Sequence, residues 1–195
     1  MENADGIGGG QNLDGRERIL RTASKLFYSE GTRAVGVDLI VARSGVAKTT
    51  LYRHFPSKDD LIHAFLERED AEFWSKWDEV AEAHRNSPVA ELEAQLRWIG
   101  ERIARPGYRG CPQINIAAEY SDETHIARKV AIEHKNELRR RLEALATRIG
   151  EASPRTFALK MSLVVDGALS SGRALHQDGA AEILISIART LLEGD

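Results

Sequence analysis

The chain has 195 residues, 42% of them hydrophobic and 29% charged, which leaves room for one large domain or two small ones with a real core. Aromatic residues make up only 6% and Val, Ile and Thr rarely alternate with polar residues, which disfavours a β-fold; no apolar run approaches the roughly 18 residues of a membrane span, and Cys111, the only cysteine, excludes an internal disulfide. The formal net charge of −3 hides an asymmetry, because from Gly15 to Lys58 nine basic side chains face three acidic ones, a local +6 that leaves −9 for the remainder. This division fits a basic head that meets phosphates on an acidic body, and equally a scatter of surface charge. With no basic and apolar leader at the N-terminus and no disulfide, a cytoplasmic location without a membrane partner is expected.

Residues 1–14 carry Gly6, Gly8, Gly9 and Gly10 among Glu2, Asp5 and Asp14, and are expected to form a disordered acidic tail. Helical patterning begins at Arg16, where Ile19, Ala23 and Leu26, with Leu20 and Phe27, recur at three- and four-residue steps, and Gly31 supplies a stop. A short helix is predicted over about residues 37–43, with Val37, Ile40 and Val41 inward, and a second over about 48–55, closed by Pro56. Ser57 can cap a long fourth helix with Asp59 and Asp60 in its first turn, where the helix dipole favours negative charge. That helix carries Leu61, Ile62, Phe65, Leu66, Phe73, Trp74, Trp77 and Val80, too many apolar positions for a small head alone. It reads as a strut joining a head of residues 15–58 to a body of residues 59–195.

A fifth helix starts near Pro88, with Leu92, Leu96, Ile99 and Ile103 on one face, and a loop follows at 106–110. Pro112 opens a sixth to about residue 120, and a seventh runs over about 123–149. Ser153-Pro154 starts an eighth, and a ninth covers about 180–192. No repeat or convincing strand is present, so the predicted class is all-α with about nine helices.

Two short helices around a turn at Gly45 form a helix-turn-helix pattern. Ala42 is small enough to let the two cross closely, and Gly45 can adopt the positive φ of a sharp turn. Val46, Leu51 and Phe55 are expected to point into the head. On a helical wheel Thr49 and Arg53 then lie opposite the core, with Thr50 and His54 on one flank and Lys48 and Tyr52 on the other. Cations, hydroxyls and an aromatic ring on one exposed face suit contact with phosphates and base edges.

The stretches Arg18-Ile-Leu-Arg-Thr-Ala-Ser-Lys-Leu-Phe-Tyr-Ser-Glu-Gly31 and Val37-Asp-Leu-Ile-Val-Ala-Arg-Ser-Gly-Val-Ala-Lys-Thr-Thr-Leu-Tyr-Arg-His-Phe-Pro-Ser-Lys58 resemble the DNA-binding head of the TetR family of repressors. The resemblance implies that Thr50, His54 and Lys58 touch phosphates, that Lys48, Thr49 and Tyr52 approach bases, and that Arg53 does either. Gly36 and Ala47 stand where the family usually has a capping hydroxyl; alanine there costs about 1 kcal/mol, so the reading helix is expected to be less stable before DNA binds. Asp38 is acidic where some relatives place a basic DNA contact, so the first motif helix is given no base-reading role.

The resemblance further implies a homodimer on palindromic double-stranded operator DNA and release by a small-molecule effector. The eighth helix carries Gly167, Ala168, Ser170, Ser171, Gly172 and Ala174 on an apolar background; it and the ninth are the dimer candidates, a buried core helix being the alternative. Polar groups on apolar helices are the effector-site candidates. Cys111, Asn115 and Glu119 repeat at four-residue steps, Asp166 interrupts the eighth helix, and Trp98 and Tyr120 can wall a cavity. Each also fits a structural role: packed thiol, bonded amide, ion pair or core ring. An apolar or amphipathic effector is expected. Cys111 with His125 or His134 lacks any glycine motif for an oxyanion site, and no His-x-x-x-His or Cys-x-x-Cys pair exists. No catalytic residue, metal or cofactor is therefore expected.

Overall fold

The computed structural model describes residues 14–175 and 179–193, with side chains for 14–171 and 179–193. Residues 1–13 of the expected tail lie outside that description, as do the side-chain surroundings of Gly172 and Ala174 in the small-residue run. The described residues form nine helices and no strand: α1 (Gly15–Glu30), α2 (Val37–Ser44), α3 (Lys48–His54), α4 (Lys58–Ala83), α5 (Pro88–Ile103), α6 (Pro112–Ala118), α7 (Ile126–Ile149), α8 (Pro154–Leu175) and α9 (Ala180–Glu193).

Local chemistry sets most of these boundaries. Asp14, counted above with the tail, caps α1 by accepting from the Arg16 amide at 2.9 Å. Ser57 and Asp60 form a reciprocal capping box at the start of α4, satisfying two amides that the first turn leaves orphaned. Two boundaries differ from expectation. α6 ends at Ala118, because the amides of Glu119 and Tyr120 turn back to the carbonyls of Ile116 and Ala117. α7 begins at Ile126, because the Asp122 carboxylate accepts from both the amide and the hydroxyl of Thr124 at 2.8 Å, a local turn that competes with helix.

Two apolar cores result. The head core joins Ile19, Leu20 and Phe27 of α1, Ile40 of α2, Leu51 and Phe55, and Leu61, Ile62, Phe65 and Leu66 of α4. It also takes Ile116 from α6 and Ala127 and Val130 from α7. The body core joins Phe73 and Trp77 of α4 to apolar faces of α5, α7, α8 and α9. α4 has 26 residues, so at 1.5 Å per residue it spans about 39 Å, and it contributes side chains to both cores. α5 and α9 approach so closely at Gly100 that a Cβ there would lie 2.5 Å from the Ala181 nitrogen.

One detail of the motif is corrected. Ala42 is exposed and takes no part in the crossing of α2 and α3. The small residue buried there is Ser44, whose hydroxyl donates to the Val41 carbonyl at 3.3 Å. It falls on the inward face with Ile40, one helical turn earlier, whereas Ala42 falls between the turns.

Candidate nucleic-acid interface

The turn between α2 and α3 is held from outside the motif. Gly45 has φ 64, the left-handed conformation that glycine adopts without Cβ strain. The Arg18 guanidinium, reaching from α1, donates to the carbonyls of Ser44 at 2.7 Å and Gly45 at 3.1 Å. A cation at the C-terminal end of α2 satisfies carbonyls that the helix leaves unpaired and complements its dipole. In the sequence Arg18 is one of nine head cations, and nothing in its spacing marks this role.

α3 is anchored by Val46, Leu51 and Phe55, all buried, while Lys48, Thr49, Tyr52 and Arg53 are exposed. Tyr52 is 43% exposed, too open for a ring that packs helices together. Thr50 and His54 are half-buried beside the start of α1, and Lys58 is half-buried at the start of α4. The six α3 candidates therefore share one short helix, with Lys58 beyond its C-terminal end. Neither Gly36 nor Ala47 provides a side-chain cap, so the first amides of α2 and α3 lack that partner. Asp38 pairs with Lys48 at 2.7 Å across the turn, and its hydrogen bond and charge raise the Lys48 pKa. Asp38 thus occupies a cation that the interface would otherwise present.

Glu119 and Tyr120 lie together where the body meets the head. The Glu119 carboxylate accepts from the Thr32 amide at 3.1 Å, the Thr32 hydroxyl at 2.8 Å and the Arg33 amide at 2.8 Å, and so grips the turn after α1. The Tyr120 hydroxyl is 2.9 Å from Thr32 Oγ1, its ring stacks on His125 at 3.6 Å, and the Arg33 guanidinium lies over the ring at 5.3 Å. Desolvation raises the Tyr120 pKa. Nearby, Tyr28 donates to the Gly110 carbonyl and accepts from the Arg109 amide. Asn115 is exposed and donates to the Arg109 carbonyl at 2.8 Å; it lines, with Glu119, a cleft of about 530 Å³ between head and body.

The other effector-site candidates are dispersed. Cys111 is buried at the N-terminus of α6, where desolvation pushes its thiol pKa up and Sγ lies 3.4 Å from Gln113 Oε1. Trp98 is buried against Phe73, ring centroids 4.9 Å apart. Asp166 pairs with Lys135. The sequence weighs His134 only as a base for Cys111 and does not foresee its partner: His134 packs on Phe73 and Trp74 and pairs with Asp70, which also accepts from Trp74 Nε1 at 2.9 Å. Asp70 and His134 are 64 positions apart, beyond any helical periodicity. Among the described residues no group of three or more His, Cys, Asp or Glu side chains is placed to hold a metal ion, and no helix is long and apolar enough to cross a membrane.

A helix-turn-helix head on an all-helical body is the architecture of a class of transcription regulators. The model of bacterial regulatory proteins of the tetR family matches residues 19–65. A TetR-family transcriptional regulator from Streptomyces coelicolor superimposes with a TM-score of 0.87 at 30% identity, over 92% of this chain and 94% of that one. The chain belongs to the TetR family. A second structure, a TetR-type regulator from Streptomyces avermitilis, aligns with a TM-score of 0.75 at 28% identity over 91% of this chain and 100% of the other.

Among curated relatives, the transcriptional activator FasR of Mycolicibacterium smegmatis is 45% identical over 53 residues, which is 27% of this chain and 24% of FasR. A helix-turn-helix regulator of Staphylococcus aureus is 30% identical over 87 residues, 45% of this chain and 46% of that protein. The chain thus matches less than half the length of these relatives. These proteins are transcriptional regulators, not enzymes.

Proposed function

We propose that the chain is a repressor that binds a palindromic operator as a homodimer and is released by a small apolar or amphipathic effector in its body. The observation that carries the reading is the outward row of Lys48, Thr49, Tyr52 and Arg53 on a helix pinned by Leu51 and Phe55. Lys48, Thr49 and Tyr52 suit base edges, Thr50, His54 and Lys58 suit phosphates, and Arg53 suits either. The unfilled caps of α2 and α3 add backbone donors that phosphate oxygens can meet.

The dimer face we assign to α8 and α9. Ile183 and Ile187 are exposed one turn apart on α9, and a Cβ added at Gly167 of α8 would meet open space. Covering such a face in a two-fold dimer buries apolar surface and fixes the separation of the heads, which must match a DNA turn of about 34–36 Å. An effector shifts this equilibrium only if it binds the DNA-free arrangement better.

Selection from a random DNA pool by the full chain tests the reading. Enrichment of a palindrome with half-sites one turn apart supports it; a single half-site refutes the dimer, and no enrichment refutes DNA binding. An activator is the second reading, favoured by the 45% identity over 53 residues to a protein named an activator. A reporter downstream of the selected site separates the two by the sign of its response.

A further inference from the structure

Four buried side-chain polar atoms have no hydrogen-bond partner among the described residues, and three of them belong to the body: Gln95 Oε1 of α5, Gln113 Nε2 of α6 and His134 Nε2 of α7. These residues are 0%, 2% and 2% exposed, so bulk water does not reach them. A buried polar atom left unpaired is costly, and native cores keep few of them without a use.

Two of the three flank one aromatic cluster. The His134 ring lies 5.0 Å from both Phe73 and Trp74, Trp98 lies 4.9 Å from Phe73, and Trp77 stacks on Phe73 at 6.3 Å. Gln95 donates to the Trp77 carbonyl at 2.8 Å, which fixes the orientation of its amide and leaves Oε1 as an acceptor. His134 Nδ1 faces the Asp70 carboxylate, which can only accept, so Nδ1 carries the hydrogen and Nε2 of the neutral ring is an acceptor as well. The charges that touch the cluster are matched. Arg102 and Arg141 lie over the Phe73 and Trp74 rings, but Arg102 pairs with Glu69 at 3.6 Å and Arg141 with Glu137 at 2.6 Å. Aromatic walls, acceptors without donors and paired charges complement an uncharged aromatic molecule that brings a hydroxyl proton.

We infer that this cluster is the effector site and that it takes an uncharged aromatic alcohol or phenol, its ring among Phe73, Trp77 and Trp98 and its hydroxyl donating to His134 Nε2. The inference rests on the proposed reading that the body takes an effector, and it leaves the outer faces of α8 and α9 to the dimer. Entry is by the cleft of about 220 Å³ that Arg102 lines with Glu69, Glu72 and Tyr108, since Arg102 also lies over the Phe73 ring. Asp70 and His134 join α4 to α7, and both helices run on into the head core. An occupant that parts the rings therefore acts on two helices that the head rests on.

The chain's three tryptophans, Trp74, Trp77 and Trp98, all lie in the cluster, so their indole N–H signals in a nitrogen-15 NMR spectrum report on it directly. The probes are 2-naphthol and 2-methylnaphthalene, alike in shape and differing by a hydroxyl for a methyl, titrated into the full-length chain. 2-Naphthol is expected to shift the indole signals, to bind about tenfold more tightly than the methyl compound, against the order of apolar partition, and to weaken the complex with the selected operator. His134→Phe is expected to remove the preference and leave 2-methylnaphthalene unchanged. Asp70→Asn, a side chain of the same size, is expected to remove it too, because one amide oxygen cannot accept from both Trp74 Nε1 and His134 Nδ1. That variant carries the test should the phenylalanine variant fail to fold.

Indole signals that neither compound moves, equal affinity for the two, or a preference that survives substitution overturns the assignment, and buried water then serves the unpaired atoms. Binding of 2-naphthol that leaves the operator complex intact overturns the site's effector role. Should another compound release operator with the indole signals unmoved, the site fails while the effector reading stands. Should no compound class release operator from the unaltered chain, the effector reading itself fails.

Discussion

Replacing Glu119 with Ala removes the carboxylate that ties the body to the head. Three bonds are lost, to the Thr32 amide, the Thr32 hydroxyl and the Arg33 amide. They are not equal. Arg33 is exposed and its amide can rehydrate, while the Thr32 hydroxyl keeps Tyr120 at 2.9 Å. The Thr32 amide belongs to a fully buried residue and has no second partner, so it bears the cost of an orphaned donor, about 1–3 kcal/mol, beyond the loss of a charged acceptor. A total of about 2–4 kcal/mol follows, and at about 2–4 °C per kcal/mol for a chain of this size the Tm falls by about 4–16 °C. Thermal unfolding followed by circular dichroism reads the shift, and hydrogen exchange reads the Thr32 amide directly. Glu119→Gln keeps one acceptor oxygen and should lose roughly half as much. A Tm change under about 2 °C, with Thr32 exchange unaltered, would refute the clamp.

Lys48→Ala should reduce the slope of log K against log salt by about 0.9 if Lys48 meets a phosphate, whereas Asp38→Asn frees Lys48 and should tighten binding; filter-binding titrations across salt read both. Gly100→Ala drives a methyl into the Ala181 backbone and should destabilise the body by about 1–3 kcal/mol in urea unfolding, with dimer dissociation rising as α9 is displaced. Glu137 has its pKa lowered from 4.5 to about 2, first by its hydrogen bond from Arg140 and then by Arg141. Because the folded pKa is the lower one, this stabilisation is present above about 4.5 and is lost as pH falls towards about 2. Glu137→Gln should flatten stability against pH in that window, and acid titrations of the two proteins compare it; the effect is small because the group is largely solvated.

What could be read from the sequence was what short-range chemistry dictates. Ser57 and Asp60 announced the start of α4, Gly45 the turn, and Leu51 and Phe55 the buried side of α3, because caps, positive φ and helical period all act within a few residues. The inward small residue was misassigned to Ala42 because one short helix of eight residues fixes its rotation poorly until Arg18 and the α3 packing set it. Contacts between distant positions were illegible. Glu119 and Thr32 lie 87 residues apart, and the four-residue step from Cys111 through Asn115 to Glu119 suggested a shared site. The fold sends those three side chains to the body core, to a loop and to the head, since α6 is only seven residues long and is gripped at both ends.

Ile116, Ala127 and Val130 close the head core from the body side, and this matters to anyone who builds hybrid regulators by exchanging DNA-reading heads. A splice after Lys58 transplants the reading surface but leaves its underside facing foreign side chains. The transferable unit is discontinuous: it includes the end of α6, the turn that follows and the first turns of α7. A hybrid that carries those segments along keeps its donor's fit, and one that omits them inherits a mismatched joint through which a signal from the body has to pass.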